Sequence, residues 1–288
     1  MRAFTDAERT GKIKMPTLAL FLDGDSLMSK LMVARYALDN EIHYGVLEGE
    51  TLKRLVGMPF ERLVESGDRD SLNEARLLAP VPLPRIFCLG YNYKAHSAES
   101  QKAVPEAPVL FMKPSTSVIG PDDAIVYPAH GEIIHYEGEL TVVIGKRARH
   151  VSEAQALEHV FGYTCGNDVS DRVLQRRESA FGCLFAGKGY DTFAPIGPFI
   201  GTGLDPADQR IITRVNGVVR QDGNSRDLVF SVPYLIAYLS KHMTLLPGDL
   251  IMTGTPAGVG PLSVGDTVEV EIPGIGALRN AVVAETLV

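Results

Sequence analysis

The sequence predicts a mainly β protein with a few helices, an α+β fold with a rolled or barrel-like sheet. From Arg85 onward, short apolar segments separated by turn signals follow one another: RIFCLG, VLFMKP, IVYP, LTVVIG and FGYTCGND. Near the C-terminus, DTVEVEI at 266–272 alternates between polar and apolar residues before the turn PGIG, as a half-buried strand does. Helical patterns are few by comparison, which argues against a doubly wound α/β fold.

The N-terminal part of the chain predicts a small β-rich domain at residues 28–80. The segment that starts at Met28 has the form of a protein start, with a strand, a polar turn at 39–41 and a returning strand. Residues 1–27 are therefore expected to be an extension outside the core fold. A helical stretch is expected near PFERLVESG, at 59–67.

The proline-rich segment APVPLPR at 79–85 is the predicted domain boundary, because prolines resist regular structure and stiffen linkers. Residues 85–288 then form the main domain. Two helices are expected within it. SEAQALEHV has the capping-box spacing of Ser152 and Gln155, and SVPYLIAYLSKHM has Ser231 as its N-cap.

Composition indicates a soluble, cytoplasmic protein. The 288 residues are 45% hydrophobic, which is ample for the core of one large domain with a small one beside it. A formal net charge of -7 argues against nucleic acid or an anionic membrane as partner. Three widely spaced cysteines argue against a disulfide framework or a structural zinc site. The apolar run at 17–22 is too short for a membrane span and lacks a cleavage pattern.

Two carboxylates stand side by side in a strand pattern. HYEGELTVVIGKRAR, at 135–149, holds Glu137 and Glu139 with Gly138 between them. Because side chains in a strand alternate faces, both carboxylates point the same way. Two like charges this close repel unless a cation lies between them. The pair therefore indicates either a divalent metal site or a solvent-exposed strand end.

A third carboxylate follows the next strand pattern, in GNDVSDRVLQRR at 166–177. Asp168, Arg172 and Gln175 have the i, i+4, i+7 spacing of one helix face. A carboxylate beside a cation and an amide suits a metal site with all-oxygen ligands, which selects Mg²⁺, Mn²⁺ or Ca²⁺ over zinc. The alternative is an N-capping aspartate with a solvated polar face.

Three further segments combine polar groups with short-range structure. Lys188 lies between two glycines in AGKGYDTFAPIGP, so the backbone can approach another group closely there. The lysine is a candidate for pairing with a substrate anion, although a lone lysine is usually a surface residue. Thr255 lies in the glycine-rich turn TGTPAGVG at 253–260, whose amides could form an anion nest. In LGYNYKAHSAES, His96 and Glu99 would be neighbours on a short helix, as a general base and its orienting carboxylate or as structural residues.

Taken together, the motifs strongly resemble those of the fumarylacetoacetate hydrolase family, in the same order: YNYKAHSAE, EGEL, GYTCGNDVSDRVLQ, GKGYDTFAPIGP and TGTPAGVG. The resemblance covers the chain from about Arg85 to the C-terminus. YGVLEGETLKRLVGMPF is also similar to the small N-terminal domain of many bacterial members. The resemblance implies a β-rich roll whose core holds one divalent cation, and it suggests a homodimer.

The resemblance also assigns roles to residues. It implies three metal ligands, usually for Mg²⁺ or Mn²⁺ and possible for Ca²⁺: Glu137, Glu139 and Asp168. It implies residues that hold or polarise the substrate, of which the lysine is also catalytic: Arg172, Gln175, Lys188 and Thr255. It implies a mobile-lid dyad that activates water or moves a proton: His96 and Glu99.

One departure bears on the substrate. The fumarylacetoacetases proper add an aspartate ligand in the segment that matches 89–93, where this chain reads Leu-Gly-Tyr-Asn-Tyr. The pattern is closer to shorter relatives, so the expected enzyme is an isomerase or decarboxylase of 2-hydroxyhepta-2,4-diene-1,7-dioate or oxaloacetate. It would act on a 2-oxo acid through a metal-stabilised enolate. Two alternatives stay open: a C–C hydrolase of acylpyruvates, and a catalytically silent metal- and metabolite-binding protein.

Overall fold

The computed structural model of the protein describes residues 30–60 and 62–286. The predicted extension at 1–27 lies outside the described residues. Strands dominate the described chain, which confirms the mainly β, α+β fold class. Within these ranges, no helix has the length and apolar character needed to cross a membrane.

The strands of the described residues, in chain order, are β1 (Met32–Leu38), β2 (Glu41–Glu48), β3 (Thr51–Leu55), β4 (Glu65–Ser71), β5 (Arg76–Leu77), β6 (Ile86–Gly90), β7 (Val109–Lys113), β8 (Val118–Ile119), β9 (Ile125–Tyr127), β10 (Ile134–Tyr136), β11 (Gly138–Ile144), β12 (Val160–Asn167), β13 (Ser170–Asp171), β14 (Ala194–Gly201), β15 (Arg210–Val215), β16 (Val218–Asn224), β17 (Leu250–Met252), β18 (Gly260–Pro261), β19 (Thr267–Ile272) and β20 (Gly276–Ala284). The α-helices are α1 (Lys94–Glu99), α2 (Arg172–Ser179) and α3 (Val232–His242). Short 3₁₀ segments lie at Ser115–Ser117, Glu153–His159, Ala186–Lys188 and Ser225–Asp227.

The largest sheet has the strand order β4-β3-β2-β1-β14-β12-β11-β17-β6-β7, with β5 paired to β1 and β8 to β14. The N-terminal strands β1–β4 continue this sheet, because Met32 pairs with Gly201 and Val33 with Ile200. A five-stranded sheet has the order β16-β15-β19-β20-β9, and a three-stranded sheet has the order β13-β10-β18. The division of the chain into two domains stays a prediction.

Strand β11 is buried along its whole length and separates two parts of the core. Leu140 and Val142 pack in a cluster that also includes Leu235 of helix α3, whereas Val143 packs in a second cluster. Because both faces of β11 are covered, apolar residues of this strand point to both sides, and its polar residues Glu139 and Thr141 are buried as well. This central position places the beginning of β11 deep inside the protein.

The register of β11 against β12 fixes where the site can form. Gly138 pairs with Asn167, and Glu139 pairs with Gly166. Since β12 ends at Asn167, Asp168 is the first residue beyond the strand. The antiparallel pairing therefore brings the beginning of β11, which holds Glu139, next to the end of β12, which Asp168 follows.

Two local predictions are confirmed. Asp39 and Asn40 have positive φ angles of 51° and 64°, as the tight turn between β1 and β2 requires. Helix α3 begins after Ser231, whose side chain accepts a hydrogen bond from the backbone N–H of Tyr234. Both features depend on residues close in sequence, which explains why the sequence pattern reveals them.

Two helix predictions were wrong in type or place. Residues Glu153–His159 form a 3₁₀ segment, and the Ser152 hydroxyl donates to Gln155 Oε1 at 2.8 Å rather than capping the backbone. The segment 59–67 contains no helix among its described residues. It leads into strand β4, which pairs with β3, so tertiary pairing overrides the local helical pattern.

A partly buried ion pair joins the N-terminal strands. Arg54 on β3 donates to Asp70 on β4 through Nε at 2.9 Å and Nη2 at 2.8 Å, and the Tyr36 hydroxyl also donates to Asp70. The hydrogen bonds from Arg54 hold the pKa of Asp70 below its usual value, against the opposing effect of burial. Folding therefore favours the ionised carboxylate, so its contribution to stability is present above a pH of about 4 and is lost as pH falls further.

We expect Asp70→Asn to lower the free energy of unfolding by about 1–3 kcal/mol at pH 7, the range for hydrogen bonds to charged groups. The difference from the wild type should shrink below about pH 4, where the wild-type carboxylate also becomes protonated. Urea unfolding at pH 7 and at lower pH measures both effects. Asp68→Asn is the control, because Asp68 is exposed and lies 3.8 Å from Arg54. An equal loss in the two variants would contradict the assignment.

Candidate metal centre and active site

Three carboxylates converge at the centre of the largest sheet. Glu137 lies between β10 and β11, Glu139 lies on β11, and Asp168 follows β12. Each of these residues is at most 4% exposed, which excludes the solvent-exposed strand end as an interpretation of the glutamate pair. One oxygen from each residue lies within 4.8 Å of the others. Carboxylates gathered this closely in the interior require cations.

Gly138 explains how the two glutamates share a face. Its own face of the strand lies against the five-stranded sheet, where a Cβ atom would collide with the Thr213 side chain and lie 3.3 Å from Gln221 Oε1. Its backbone N–H donates to Gln221 Oε1 at 3.0 Å. The glycine thus lets a second layer pack directly behind the carboxylates.

Three cations contact the acidic cluster. Lys188 Nζ lies 2.8 Å from Glu137 Oε2 and 2.7 Å from Asp168 Oδ2. Arg172 Nη2 lies 2.5 Å from Glu137 Oε1. Lys113 Nζ lies 2.7 Å from Asp168 Oδ1. Two of the carboxylates are therefore paired with protein cations.

Glu139 differs from its neighbours, since no cation of the described chain is paired with it. Burial raises the pKa of Glu139 well above its usual range, and the negative charges of Asp168 and Glu137 raise it further. A hydrogen bond of 2.7 Å from the Gly254 amide opposes this effect. An additional cation would remove the electrostatic penalty on this carboxylate.

Glu137 has the opposite electrostatic balance. Burial alone would raise its pKa, but Arg172 and Lys188 outweigh burial and hold the pKa of Glu137 well below its usual range. Burial and ion pairing also oppose each other at Lys188. Burial would lower the pKa of Lys188, whereas Asp168 and Glu137 raise it. Glu137 and Lys188 are therefore both charged.

The donor set fits a hard divalent cation. All candidate ligand atoms are carboxylate oxygens, which suit Mg²⁺, Mn²⁺ or Ca²⁺. Asp168 Oδ1 is buried and forms an ion pair with Lys113 but accepts no aligned hydrogen bond, so it can also bind a metal. Glu139 has no paired cation among the described residues, so its carboxyl group is a second candidate ligand. Glu137, Glu139 and Asp168 are thus the residues that could hold the ion.

A cavity of about 620 Å³ adjoins the cluster at Glu137. Its wall includes most of the predicted site residues: His96, Glu99, Glu137, Arg172, Gln175, Lys188 and Thr255. Apolar residues cover other parts of the wall: Leu89, Phe111, Ile133, Leu184 and Val259. The volume suits a small organic substrate. The structure therefore brings seven of the predicted residues to one cavity, and Glu139 and Asp168 lie beside it in the cluster with Glu137.

The predicted dyad lies on the short helix α1. His96 Nδ1 is 3.4 Å from Glu99 Oε2, and Tyr91 stacks against the imidazole at 6.2 Å between ring centroids. Both Glu99 oxygens lie 3.2 Å from the Gly258 amide, in the glycine-rich turn. The turn thus anchors the carboxylate that orients the buried imidazole.

The predicted helix face of three residues was wrong in one respect. Helix α2 begins at Arg172, with Asp171 as its N-cap, so Asp168 precedes the helix. Asp168 instead follows the end of β12. Arg172 and Gln175 do share the helix, and Arg172 Nη1 donates to Gln175 Oε1 at 2.9 Å. The arginine pairs with Glu137 and not with Asp168.

The glycine-rich segments around Lys188 and Thr255 make close contacts with other parts of the protein. A Cβ atom at Gly187 would lie 2.6 Å from the backbone nitrogen of Gln175, so glycine allows helix α2 to pack against this segment. The Thr255 hydroxyl donates to the Gly138 carbonyl at 2.9 Å. The amides of the turn bind carboxylates of the protein, because Gly254 donates to Glu139.

Sequence analysis missed two residues of this region, Lys113 and His135. Lys113 is the one charged residue in the apolar segment VLFMKP, a signal that could have identified it. His135 precedes Glu137 by two residues and therefore shares its face of the chain. It lines the cavity, and burial, followed by the charge of Arg172, lowers its pKa to about 4.

Comparison with known proteins agrees with the sequence motifs. Residues 85–283 match the family model described as fumarylacetoacetate (FAA) hydrolase C-terminal, and residues 32–80 match the Rv2993c-like, N-terminal model. The structure of 2-hydroxyhepta-2,4-diene-1,7-dioate isomerase from Mycobacterium marinum is 40% identical, with a TM-score of 0.82. That match covers 89% of this chain and 100% of the other.

Two further relatives carry other activities in their names. Oxaloacetate tautomerase YisK of Bacillus subtilis is 43% identical over 229 residues, which are 74% of this chain and 74% of the relative. Fumarylpyruvate hydrolase from Pseudomonas aeruginosa, solved with Mn²⁺ and pyruvate, is 37% identical with a TM-score of 0.68. The match covers 71% of this chain and 91% of the other.

Glu139→Gln should show that the carboxyl group of Glu139 is needed for metal binding but not for the stability of the metal-free protein. Without metal, we expect a melting temperature at or above the wild-type value, because a buried carboxyl without a cation is replaced by a neutral amide. Excess Mn²⁺, at about 100 times Kd, should raise the wild-type value by roughly 5 °C or more but should have little effect on the variant. Thermal unfolding in EDTA and in Mn²⁺ measures both effects.

Glu132→Gln is the matched control for this experiment. Glu132 is an exposed carboxylate paired with Arg177, so its replacement should leave the Mn²⁺-induced shift intact. A full Mn²⁺ shift in Glu139→Gln would contradict its assignment as a ligand.

Proposed function

The chain belongs to the fumarylacetoacetate hydrolase family, and from this premise we propose that it is a divalent-metal-dependent isomerase, tautomerase or decarboxylase of an enolisable 2-oxo dicarboxylate. One observation carries the proposal: three buried carboxylates cluster beside a cavity that Glu137 itself lines, and the wall of this cavity is rich in cations. Relatives named for 2-hydroxyhepta-2,4-diene-1,7-dioate and for oxaloacetate support this substrate class.

Charge balance supports an anionic substrate. The three carboxylates of the cluster, Glu137, Glu139 and Asp168, are matched by three nearby cations, Lys113, Arg172 and Lys188. With all three carboxylates ionised, their charges and those of the three cations sum to zero, so a bound divalent ion would leave the site with about two positive charges. A dianion would restore neutrality inside a site of low dielectric constant.

Each residue has a distinct place in the proposed mechanism. The three carboxylates would hold Mg²⁺ or Mn²⁺, which supplies Lewis-acid stabilisation of an enolate when bound. Lys188 and Arg172 lie on the cavity side of Glu137 and can direct N–H groups at a substrate carboxylate. The Gln175 amide and the Thr255 hydroxyl also line the cavity and would fix the orientation of the substrate.

Proton transfer is assigned to His96. The imidazole reaches the cavity while Glu99, anchored on the Gly258 amide, orients it. An imidazole held in this way can remove a proton from one carbon of the substrate and return it to another atom, which is the proton movement of a tautomerase or isomerase. Polar atoms elsewhere in the wall would hold the substrate while the proton moves.

A C–C hydrolase of acylpyruvates is the second candidate. The same dyad could direct a water molecule at a carbonyl carbon if a water reached the imidazole. The resemblance to fumarylpyruvate hydrolase supports this alternative. The two functions differ in the product, because the hydrolase adds water and releases two carboxylic acids, an isomerase or tautomerase breaks no carbon–carbon bond, and a decarboxylase releases CO₂.

The proposed function predicts metal-dependent turnover of 2-oxo dicarboxylates. After treatment with EDTA, we expect no activity, and Mg²⁺ or Mn²⁺ should restore it because the enolate needs a cation. Oxaloacetate and 2-hydroxyhepta-2,4-diene-1,7-dioate should be better substrates than acetylpyruvate and fumarylpyruvate in an ultraviolet assay. Higher kcat/KM for the acylpyruvates would favour the hydrolase, and no metal-dependent turnover of any of the four would contradict the proposal.

The proposed mechanism also predicts the effect of changing the His96–Glu99 dyad. His96→Ala should lower kcat by about 10²-fold or more, the usual effect of removing a general acid–base group. Glu99→Gln should have a smaller effect, because the imidazole remains. Steady-state kinetics with the best substrate measure both, and His242→Ala, an exposed histidine at the end of α3, is the control. Turnover near the wild-type rate in His96→Ala would refute the assignment.

A further inference from the structure

Lys113 is a charged side chain with no exposure to solvent. It is the last residue of β7, and its ammonium group contacts Asp168 without lining the cavity. Burying an ammonium ion costs several kcal/mol unless its hydrogen bonds and charge are satisfied. The surroundings of Lys113 satisfy both.

The three N–H groups of the ammonium are directed at backbone carbonyls. Lys113 Nζ donates to the carbonyl of Val169 at 3.0 Å, to that of Phe193 at 2.9 Å and to that of Lys188. Val169 also donates its own N–H to the Phe193 carbonyl at 3.1 Å. One side chain thus ties together both ends of the 188–193 segment and the residue that follows Asp168.

The charge of Lys113 faces Asp168 Oδ1 at 2.7 Å. Because its N–H groups are occupied by carbonyls, the ammonium provides an ion pair without a hydrogen bond to this oxygen. Lys188 contacts the other oxygen of the same carboxylate. The carboxylate of Asp168 is therefore held between two lysines, and Oδ1, which accepts no aligned hydrogen bond, can still bind a metal.

We propose that Lys113 is a positioning residue that fixes the orientation of Asp168 for a divalent cation and sets the distance between Asp168 and Lys188. The proposal rests on the metal site argued above and adds a residue that does not touch substrate or metal. Partners of ligating carboxylates typically contribute 10- to 100-fold to metal affinity. Removing a cation also removes its repulsion of the metal, so the sign of the effect is informative.

Lys113→Met, which keeps the length of the side chain without its charge, is the main test. Mn²⁺ titrations followed by electron paramagnetic resonance and by calorimetry should give a Kd about 10- to 100-fold weaker than the wild-type value. The lost activity should return at higher Mn²⁺ concentrations. Wild-type Mn²⁺ affinity, or tighter binding, in a folded variant would overturn the proposal, since positioning would then not be the main effect.

Two further variants separate positioning from a general loss of stability. Lys113→Gln keeps an amide that can donate to two carbonyls, so it provides the same test if the methionine variant does not fold. Asn280→Ala removes a buried amide that ties the carbonyls of Gly120 and Asp123 at 2.9 and 2.8 Å, outside the site. It should lower the melting temperature while Mn²⁺ affinity stays within about threefold of the wild-type value, a margin small beside the loss expected at Lys113.

The outcomes also distinguish this proposal from the proposed function. If the wild-type protein binds no Mn²⁺, the metal site itself fails and this inference fails with it. If the wild-type protein binds Mn²⁺ and turns over substrate while the Lys113 variants bind the ion equally well, the proposed function stands and this inference alone is refuted. A weakened affinity in both Lys113 variants, with Asn280→Ala unaffected, supports it.

Discussion

The mutual repulsion of three buried carboxylates is the constraint on which the rest of the structure depends. Glu137, Glu139 and Asp168 have oxygens within 4.8 Å of one another in the protein interior. Such a cluster is tolerated only where positive charge compensates it. The protein supplies that charge from three separate segments, through Lys113 at the end of β7, Arg172 at the start of α2 and Lys188 in a 3₁₀ segment. Long-range strand pairing brings these segments together, so the fold and the electrostatics of the site are one problem.

The compensation is uneven, and this has chemical consequences. Glu137 is held ionised by two cations, whereas Glu139 has a raised pKa and receives one hydrogen bond from a backbone amide. A protein selected for stability alone could replace Glu139 by a neutral or apolar residue. Retaining a carboxyl at this position is therefore best explained by the proposed metal ion, which would supply the missing charge.

Local sequence patterns were sufficient to predict part of the backbone geometry of this site. The alternation of a strand predicted that Glu137 and Glu139 share a face, and the glycines beside Lys188 predicted close backbone approach. The interactions that the sequence did not reveal are long-range. Lys113 meets Asp168 through strand pairing, and no local spacing encodes that contact. The i, i+4 pattern after Asp168 suggested a helix face, but β12 and the N-cap Asp171 place the start of the helix four residues later. The same tertiary pairing converts the segment before β4 from a predicted helix to an extended chain.

The local field of the cavity explains how an acidic protein could bind an anion. The chain has a net charge of -7, yet His135 in the cavity wall has a pKa of about 4. Burial is the largest cause, and the charges of Arg172, Arg176 and Lys188 lower this pKa further, while Glu137 opposes them. The imidazole thus experiences a net positive environment a short distance from three carboxylates. Since Arg172 and Lys188 are already paired with these carboxylates, it is the charge of the proposed divalent ion that would leave the site positive for an anionic ligand. The overall charge of the protein therefore does not determine the charge of the ligand that its site would bind.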